Sequence, residues 1–209
     1  MARGFFITGT DTGVGKTYST VKLIAHWKTT GQLVMAMKPV ATGGRVDRDG
    51  RCHNEDVVSL LRATGQTDLR LMNPYYFLPA IAPHLAARQC GVQIDLDVIS
   101  KNYQQLAKTC DIVVVEGAGG WLVPLSDQLW MSDLAVTLGL SVVLVVAMRL
   151  GCINHTLLTV RAIQSSGLAL AGWIANNPSV SDLLAYEDTL AFLKQHVPAP
   201  LWHVLPYAP

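Results

Sequence analysis

Nine residues, Gly9-Thr10-Asp11-Thr12-Gly13-Val14-Gly15-Lys16-Thr17, lead from a short apolar run, Phe5 to Thr8, into a helix-forming stretch from Lys16 to about Thr29. A glycine-rich loop in that setting narrows the available folds more than any other feature of the chain. Glycines let backbone N–H groups curl around phosphate oxygens, and a helix N-terminus adds partial positive charge. In such a loop Lys16 reaches the outer phosphates and the Thr17 hydroxyl can ligate Mg²⁺. Five residues separate Gly9 from Gly15, and Thr10 holds the position usually given to the first glycine, so the loop is a variant of the standard pattern. Gly13 adds backbone freedom inside it. A chance Gly-Lys-Thr in an ordinary turn would not require a strand before and a helix after. We therefore expect a nucleoside triphosphate on Gly13, Val14, Gly15, Lys16 and Thr17, with Tyr18 next along the helix.

The rest of the chain repeats that alternation. Leu33 to Met37, Ile112 to Val115, Val142 to Ala147 and Leu170 to Ala175 are apolar runs of strand length. Helical patterns cover Asn54 to Arg62, Leu96 to Lys108, Asn154 to Ser165 and Leu183 to Gln195. Continuous rather than alternating Val/Ile/Leu runs belong to strands covered on both faces, hence to a parallel sheet flanked by helices. No Gly/Ser/Pro linker divides the 209 residues, and ~150 residues is a usual domain size. The expected fold is α/β, a single P-loop NTPase-type domain over 1–209 with helices on both faces of the sheet. Ligands of such sheets bind outside the carboxyl ends of the strands.

The chemistry-bearing residues fall at those ends. Glu116 follows Asp111-Ile112-Val113-Val114-Val115, where an acid that assists a phosphate-bound Mg²⁺ belongs, and Gly117-Ala118-Gly119-Gly120 lets backbone pass close to a ligand. A carboxylate that merely caps a turn is the plainer alternative. Asp56 sits at the start of a short helix, where Asp is commonly a cap or dipole partner. Lys38 ends the second run, near the phosphate loop if the first and second strands are close neighbours. There it could neutralise a transferring γ-phosphoryl group or simply be a solvated lysine. Thr42 then offers a hydroxyl to a substrate. Gly151-Cys152-Ile153-Asn154 begins a helix, with Asn154 as its expected N-cap, and either binds an anion or is an ordinary turn. Asn176 and Asn177 follow a strand and suit either a purine edge or a turn.

Composition removes other classes. Half the residues are apolar and 15% are charged, so the chain is not disordered. With 16 basic and 15 acidic side chains the formal charge is +1, which gives no net field for nucleic acid or an anionic membrane. No apolar run reaches the ~18 residues of a membrane span. The N-terminus lacks the pattern of a signal peptide. Four cysteines at irregular spacing form no CxxC pair, so free thiols and a reducing, cytoplasmic compartment are expected. The six histidines show no metal spacing. Trp121 reads as packing, and Arg45, Arg48 and Arg51 with Asp47 and Asp49 read as a solvated loop.

Taken together, the sequence resembles the ATP-dependent dethiobiotin synthetase family. The matching segments run in order along almost the whole chain: Phe6 to Thr12 with Gly15-Lys16-Thr17, Lys38-Pro39-Val40-Ala41, Asn73-Pro74-Tyr75, Pro83-His84, Val113 to Trp121, Leu150 to His155, Ala171 to Asn176, and Pro198-Ala199-Pro200. The resemblance implies a cytoplasmic, homodimeric ligase of biotin biosynthesis. It would close 7,8-diaminononanoate with CO₂ into dethiobiotin, driven by ATP and Mg²⁺, through a carbamate and a carbamic–phosphoric anhydride. It implies Lys38 and Lys16 as the catalytic lysines, and Thr17, Asp56 and Glu116 as Mg²⁺ ligands. It puts Thr12 and Thr42 beside the diamine, and Gly117, Ala118 and Gly119 beside the nucleotide. Asn176, Asn177 and Pro206-Tyr207-Ala208 would cradle the adenine. Gly151, Cys152, Ile153 and Asn154 would receive the substrate carboxylate across the dimer, with Tyr186 a further candidate. Thr42 stands where serine is common in the family. The sequence stops at Pro209, where many members continue into a further helix that carries an acidic residue near the ribose.

Two other readings remain at this point. A partner-regulated switch ATPase of the ParA/MinD type usually has an extra lysine early in its loop, where this chain has Thr10, Asp11 and Thr12. A relative of the ligase acting on another amine or carboxylate would leave little trace in the sequence.

Overall fold

The computed structural model describes residues 2–46, 52–178 and 183–207. Strand β1 (Arg3–Gly9) leads through the glycine loop into α1 (Lys16–Thr29) and β2 (Val34–Met37). A run of short elements follows: β3 (Val40–Ala41), β4 (Arg45–Val46), β5 (Cys52–His53), α2 (Glu55–Thr64), α3 (Leu69–Met72), β6 (Tyr75–Tyr76) and α4 (Pro83–Gln89). Regular alternation resumes with α5 (Leu96–Ala107), β7 (Ile112–Gly120), α6 (Met131–Leu138), β8 (Ser141–Ala147), α7 (Cys152–Ser165), β9 (Leu170–Asn176), α8 (Tyr186–His196) and β10 (Leu201–Leu205). The expected mixed-charge loop falls largely on 47–51, outside the described residues.

Six strands make one parallel sheet in the order β10-β9-β8-β1-β7-β2. Each central strand sends alternate side chains to opposite faces, as the pleat requires. Phe6, Val113 and Val115 join one buried cluster with Ile99 and Leu134, while Ile7, Ile112, Val114 and Val143 join another with Leu23 and Ile24. A third cluster sets Leu144, Val146 and Trp173 against α7 and α8. Apolar side chains on both faces are the reason these strands read as unbroken hydrophobic runs.

Several expectations need correction. The first and second strands are not adjacent, because β7 lies between them and pairs with both. Lys38 still emerges at the carboxyl edge, since β2 and β7 run parallel. Strand β7 does not stop at Val115 but continues through Glu116 to Gly120, with Ile7 opposite Glu116 and Gly9 opposite Gly120. The side chains of Gly-Ala-Gly-Gly are small enough for the strand to run past the phosphate loop. Helix α7 begins at Cys152 with Gly151 as its cap in the left-handed region (φ 91°), so Asn154 lies inside the first turn and is not the N-cap. Glycine takes that backbone without a Cβ penalty. Helix α8 starts at Tyr186 rather than Leu183. Helices α4 and α6 and strand β10 are additional to the expected elements. The apolar stretch from Leu138 to Met148 is divided by Gly139 (φ 62°) into the end of α6 and all of β8. Among the described residues no helix is long and apolar enough to cross a membrane.

Phe6 is fully buried beneath the site and meets Trp121 edge to face at 6.2 Å, which makes Trp121 a packing residue. Phe6→Ala should lower the unfolding free energy by about 3–5 kcal/mol, read from urea denaturation with unchanged m-value.

Candidate active site

The phosphate loop is held by backbone contacts that its sequence makes available. Gly13 and Gly15 take left-handed conformations (φ 73° and 85°), which leaves the loop concave at the start of α1. A side chain at Gly15 would overlap the Asn176 carboxamide, so the glycine also allows that close approach. Asn176 is buried, and its Nδ2 donates to the Val14 carbonyl at 2.9 Å, propping the loop from the end of β9. Asp11 braces the other side. Its Oδ1 accepts from the Thr12 N–H at 2.7 Å, and its Oδ2 pairs with the Arg149 guanidinium at 2.9 Å.

Lys16 curls back over this loop, and its Nζ donates to the Asp11 carbonyl at 3.0 Å. Burial lowers its pKa to about 8, assisted by the nearby Lys38 ammonium and only partly opposed by Glu116 and Asp56. An ammonium so placed is short of counter-charge and suited to an incoming anion.

The acidic side of the site comes from three elements. Glu116 projects from β7 with no solvent exposure. Its Oε1 accepts from Thr17 Oγ1 at 2.7 Å and its Oε2 from Thr20 Oγ1 at 2.8 Å. The Lys38 Nζ, delivered by the end of β2, lies 2.6 Å from Glu116 Oε1 and 2.9 Å from Asp56 Oδ2. It also donates to the Gly117 carbonyl at 3.3 Å. Burial opposes the Lys38 charge, but the two carboxylates outweigh it and raise its pKa. Burial likewise opposes the Asp56 charge, and Lys38 reverses the balance, so its pKa is lowered. The helix cap of α2 is Asn54, whose side chain accepts from the Asp56 and Val57 N–H groups. That leaves the Asp56 carboxylate to face Lys38 rather than the helix end.

Two contributors escaped sequence reasoning. Thr20 reads as an ordinary helix residue until its partner Glu116, 96 positions away, is known. Asn73 donates to the Lys38 carbonyl at 2.6 Å, and the Lys38 N–H donates to the Met72 carbonyl at 2.9 Å, so a separate segment fixes the lysine backbone. The Asn-Pro pair was the only local signal.

Lys16, Thr17, Lys38 and Asp56 line a cavity of about 340 Å³ together with Thr12, Gly13, Gly15, Tyr18, Thr42, Ala118 and Gly119, while the buried Glu116 lies behind its wall. A more open groove of about 580 Å³ between α1 and α2 shares Thr17, Tyr18 and Asp56 with it. Asn177 donates its N–H to the Leu205 carbonyl at 3.0 Å, which brings the exposed Pro206 and Tyr207 beside the end of β9. Ala208 lies outside the described residues. Gly151, Cys152, Ile153 and Asn154 do not line the cavity of their own chain. They follow Arg149, the partner of Asp11, and burial raises the Cys152 thiol pKa. Tyr186 opens α8 and packs against the cluster that contains Cys152.

The donor set fits a small hard cation. Among the described residues no three His, Cys, Asp or Glu side chains gather as a complete metal cage. Thr17, Asp56 and Glu116 instead offer two carboxylates and a hydroxyl around a spot where the Lys38 ammonium already stands as a cation. Mg²⁺ is usually bound in that way, by one or two carboxylates with phosphate oxygens and water completing its shell.

A family model described as an AAA domain matches residues 3–209. An ATP-dependent dethiobiotin synthetase BioD of Nitrosospira multiformis is 45% identical, the alignment covering 99% of this chain and 89% of that protein. The synthetases of the same name from Xanthomonas campestris pv. campestris strain B100 and Aromatoleum aromaticum are each 44% identical over 98% of this chain and 91% of theirs. Among solved structures, a MinC:MinD cell division complex of Aquifex aeolicus superposes with a TM-score of 0.63 at 15% identity, covering 100% of this chain and 83% of that one. FtsY of Thermotoga maritima gives 0.59 at 15% identity, covering 100% and 63%. These last two likenesses are of fold alone.

The lowered pKa of Lys16 gives a measurable signature. Phosphate favours the charged amine, so nucleotide binding near pH 8.5 should take up a fraction of a proton. Affinity should fall as pH rises above about 8. Calorimetry in buffers of different ionisation enthalpy checks both. Without nucleotide, Lys16 loses its proton near 8 when folded but near 10.5 when unfolded. Its contribution to stability therefore rises with pH across that window.

Proposed function

The chain belongs to the family of ATP-dependent dethiobiotin synthetases, cyclo-ligases of biotin biosynthesis, and from that membership we propose that it closes 7,8-diaminononanoate with CO₂ to give dethiobiotin, ADP and phosphate. The observation that carries this reading is the Lys38 ammonium, 2.6 Å from Glu116 and 2.9 Å from Asp56, in a cavity that Lys16 also lines. A simple nucleotide site needs one lysine on its phosphates. A second cation from another strand suits a phosphoryl group that moves to a new acceptor, because the charge of its transition state spreads over the outer oxygens.

In the proposed sequence one amine of the substrate adds to CO₂ and loses a proton, forming a carbamate. A carbamate oxygen attacks the γ-phosphorus as ADP departs. The second amine then attacks the carbamoyl carbon, phosphate leaves, and loss of a proton completes the cyclic urea. Lys16 and Lys38 hold the oxygens of the transferring group, with Lys38 nearest the acceptor side. Thr17, Asp56 and Glu116 would hold Mg²⁺, which would supply charge to neutralise the transferring phosphoryl group. Thr12 and Thr42, both in the cavity wall, offer hydroxyls to the diamine and its carbamate. Backbone at Gly117, Ala118 and Gly119 passes the nucleotide. Asn176 and Asn177, with the Pro206-Tyr207-Ala208 segment of the sequence, would cradle the adenine.

We further propose a cytoplasmic homodimer formed from one domain per chain, over residues 1–209. The start of α7, Gly151 to Asn154, then serves the partner's substrate carboxylate. Its position outside the cavity of its own chain and the exposure of Leu150 at 93% support that arrangement.

Purified protein given ATP, Mg²⁺, bicarbonate and 7,8-diaminononanoate should yield dethiobiotin, identified by mass spectrometry; absence of product from folded protein would overturn the reading. Lys38→Met should reduce kcat by about 10²- to 10³-fold while ATP still binds, a loss of the size seen when one transition-state donor is removed. Unchanged turnover would remove Lys38 from the chemistry.

A further inference from the structure

The chain leaves the cavity wall at Thr42 and returns to it at Asp56. The intervening arms pair antiparallel, Arg45 with His53 and Val46 with Cys52. The Tyr76 hydroxyl spans them, 3.3 Å from the Arg45 carbonyl and 3.2 Å from that of His53. Gly44 admits the Tyr76 ring, since any side chain there would overlap it. Asn54 sits at the foot of this excursion and is 8% exposed. Its Oδ1 accepts from the N–H groups of Asp56 at 3.1 Å and Val57 at 3.2 Å, while its Nδ2 donates to the Thr42 carbonyl at 3.0 Å.

We propose that Asn54 is a positioning residue for the reaction: its carboxamide locks Thr42, on the substrate side of the cavity, to Asp56, on the cation side. The inference rests on the function proposed above for that cavity. Capping alone does not need an asparagine, because Ser and Asp serve equally well at a helix N-cap. Only an amide can accept from two helix N–H groups at one atom and donate to a carbonyl at the other. Serine is too short to span to Thr42, and aspartate would turn a carboxylate oxygen toward the Thr42 carbonyl. The Thr42–Asn54 bond ties together the two ends of the excursion, so Thr42 and the start of α2 move as one.

The test compares Asn54→Ser and Asn54→Asp with the wild type, since both variants keep the cap and lose the link. Melting temperature reports the cap. Calorimetric affinity for a non-hydrolysable ATP analogue, with and without Mg²⁺, reports the cation side, and KM for the diamine against kcat reports the substrate side. Melting and Mg²⁺-free affinity should stay near wild type. The gain in affinity on adding Mg²⁺ should shrink about 10-fold, the low end for a group that orients a metal-holding carboxylate, and KM for the diamine should rise. Wild-type values for both would overturn the proposal, and so would unfolding of both variants, which would make the carboxamide a requirement of folding. If the wild type makes no dethiobiotin, the substrate reading fails by itself, and the Mg²⁺-dependent affinity still decides the role of Asn54.

Discussion

A buried ammonium between two carboxylates is the constraint on which this site depends. Lys38 and Glu116 are both withdrawn from water, and each alone would carry a large desolvation cost. Together with the half-exposed Asp56 they share it, and Thr17 and Thr20 each donate a hydrogen bond to Glu116. The contacts come from β2, β7, α1 and the start of α2. Each of these elements therefore has to dock in register before the charges are compensated. Lys16 completes the set: two ammoniums and two carboxylates sum to zero. The resting site is thus neutral overall but locally uneven, with Lys16 the ammonium that burial penalises most visibly.

Much of this was legible in the sequence, for identifiable reasons. Strands covered on both faces leave unbroken Val/Ile/Leu runs, and β1, β2, β8 and β9 appear where those runs predicted them. The loop of Gly9 to Thr17 carries its own physics in its composition. Lys38 follows the end of β2 and Thr42 the end of β3, on the edge where parallel sheets place ligands, while Glu116 projects from within β7. Long-range partners were not legible. The strand order that inserts β7 between β1 and β2, the hydroxyl of Thr20 on Glu116 and the hold of Asn73 on Lys38 all join segments distant in sequence. Asp56 shows the limit clearly. From the residues alone a helix cap or dipole partner is the favoured reading, and the coordinates give the cap to Asn54 and set the Asp56 carboxylate against Lys38.

The structural likeness to MinD and FtsY and the sequence likeness to dethiobiotin synthetases answer different questions. A shared parallel sheet with a phosphate loop accounts for TM-scores near 0.6 at 15% identity, and a fold of this kind hosts many unrelated activities. Identity of 45% over nearly the full chain shows the family to which the chain belongs. The early loop positions make the distinction concrete. Where switch ATPases of the ParA/MinD type usually set a further lysine early in the loop, this chain has Thr10, Asp11 and Thr12, and the Asp11 carboxylate brings no positive charge to a phosphate. It is spent on the loop itself, through the Thr12 N–H and Arg149.

That use of Asp11 explains how a loop rich in glycine is kept in shape. Gly9, Gly13 and Gly15 remove the steric limits on the backbone, and with them the local preference for one conformation. The order has to be supplied from outside. Asp11 ties the loop to Arg149 beyond β8, Asn176 ties it to the end of β9, and the Thr10 N–H donates to the Val145 carbonyl at 3.1 Å. All three anchors lie on the side of the sheet order that runs from β8 toward β10, while Lys38, Asp56 and Glu116 approach from the side of β7 and β2. One half of the sheet thus shapes the cradle and the other half brings the charges, and the loop between them is where the two meet.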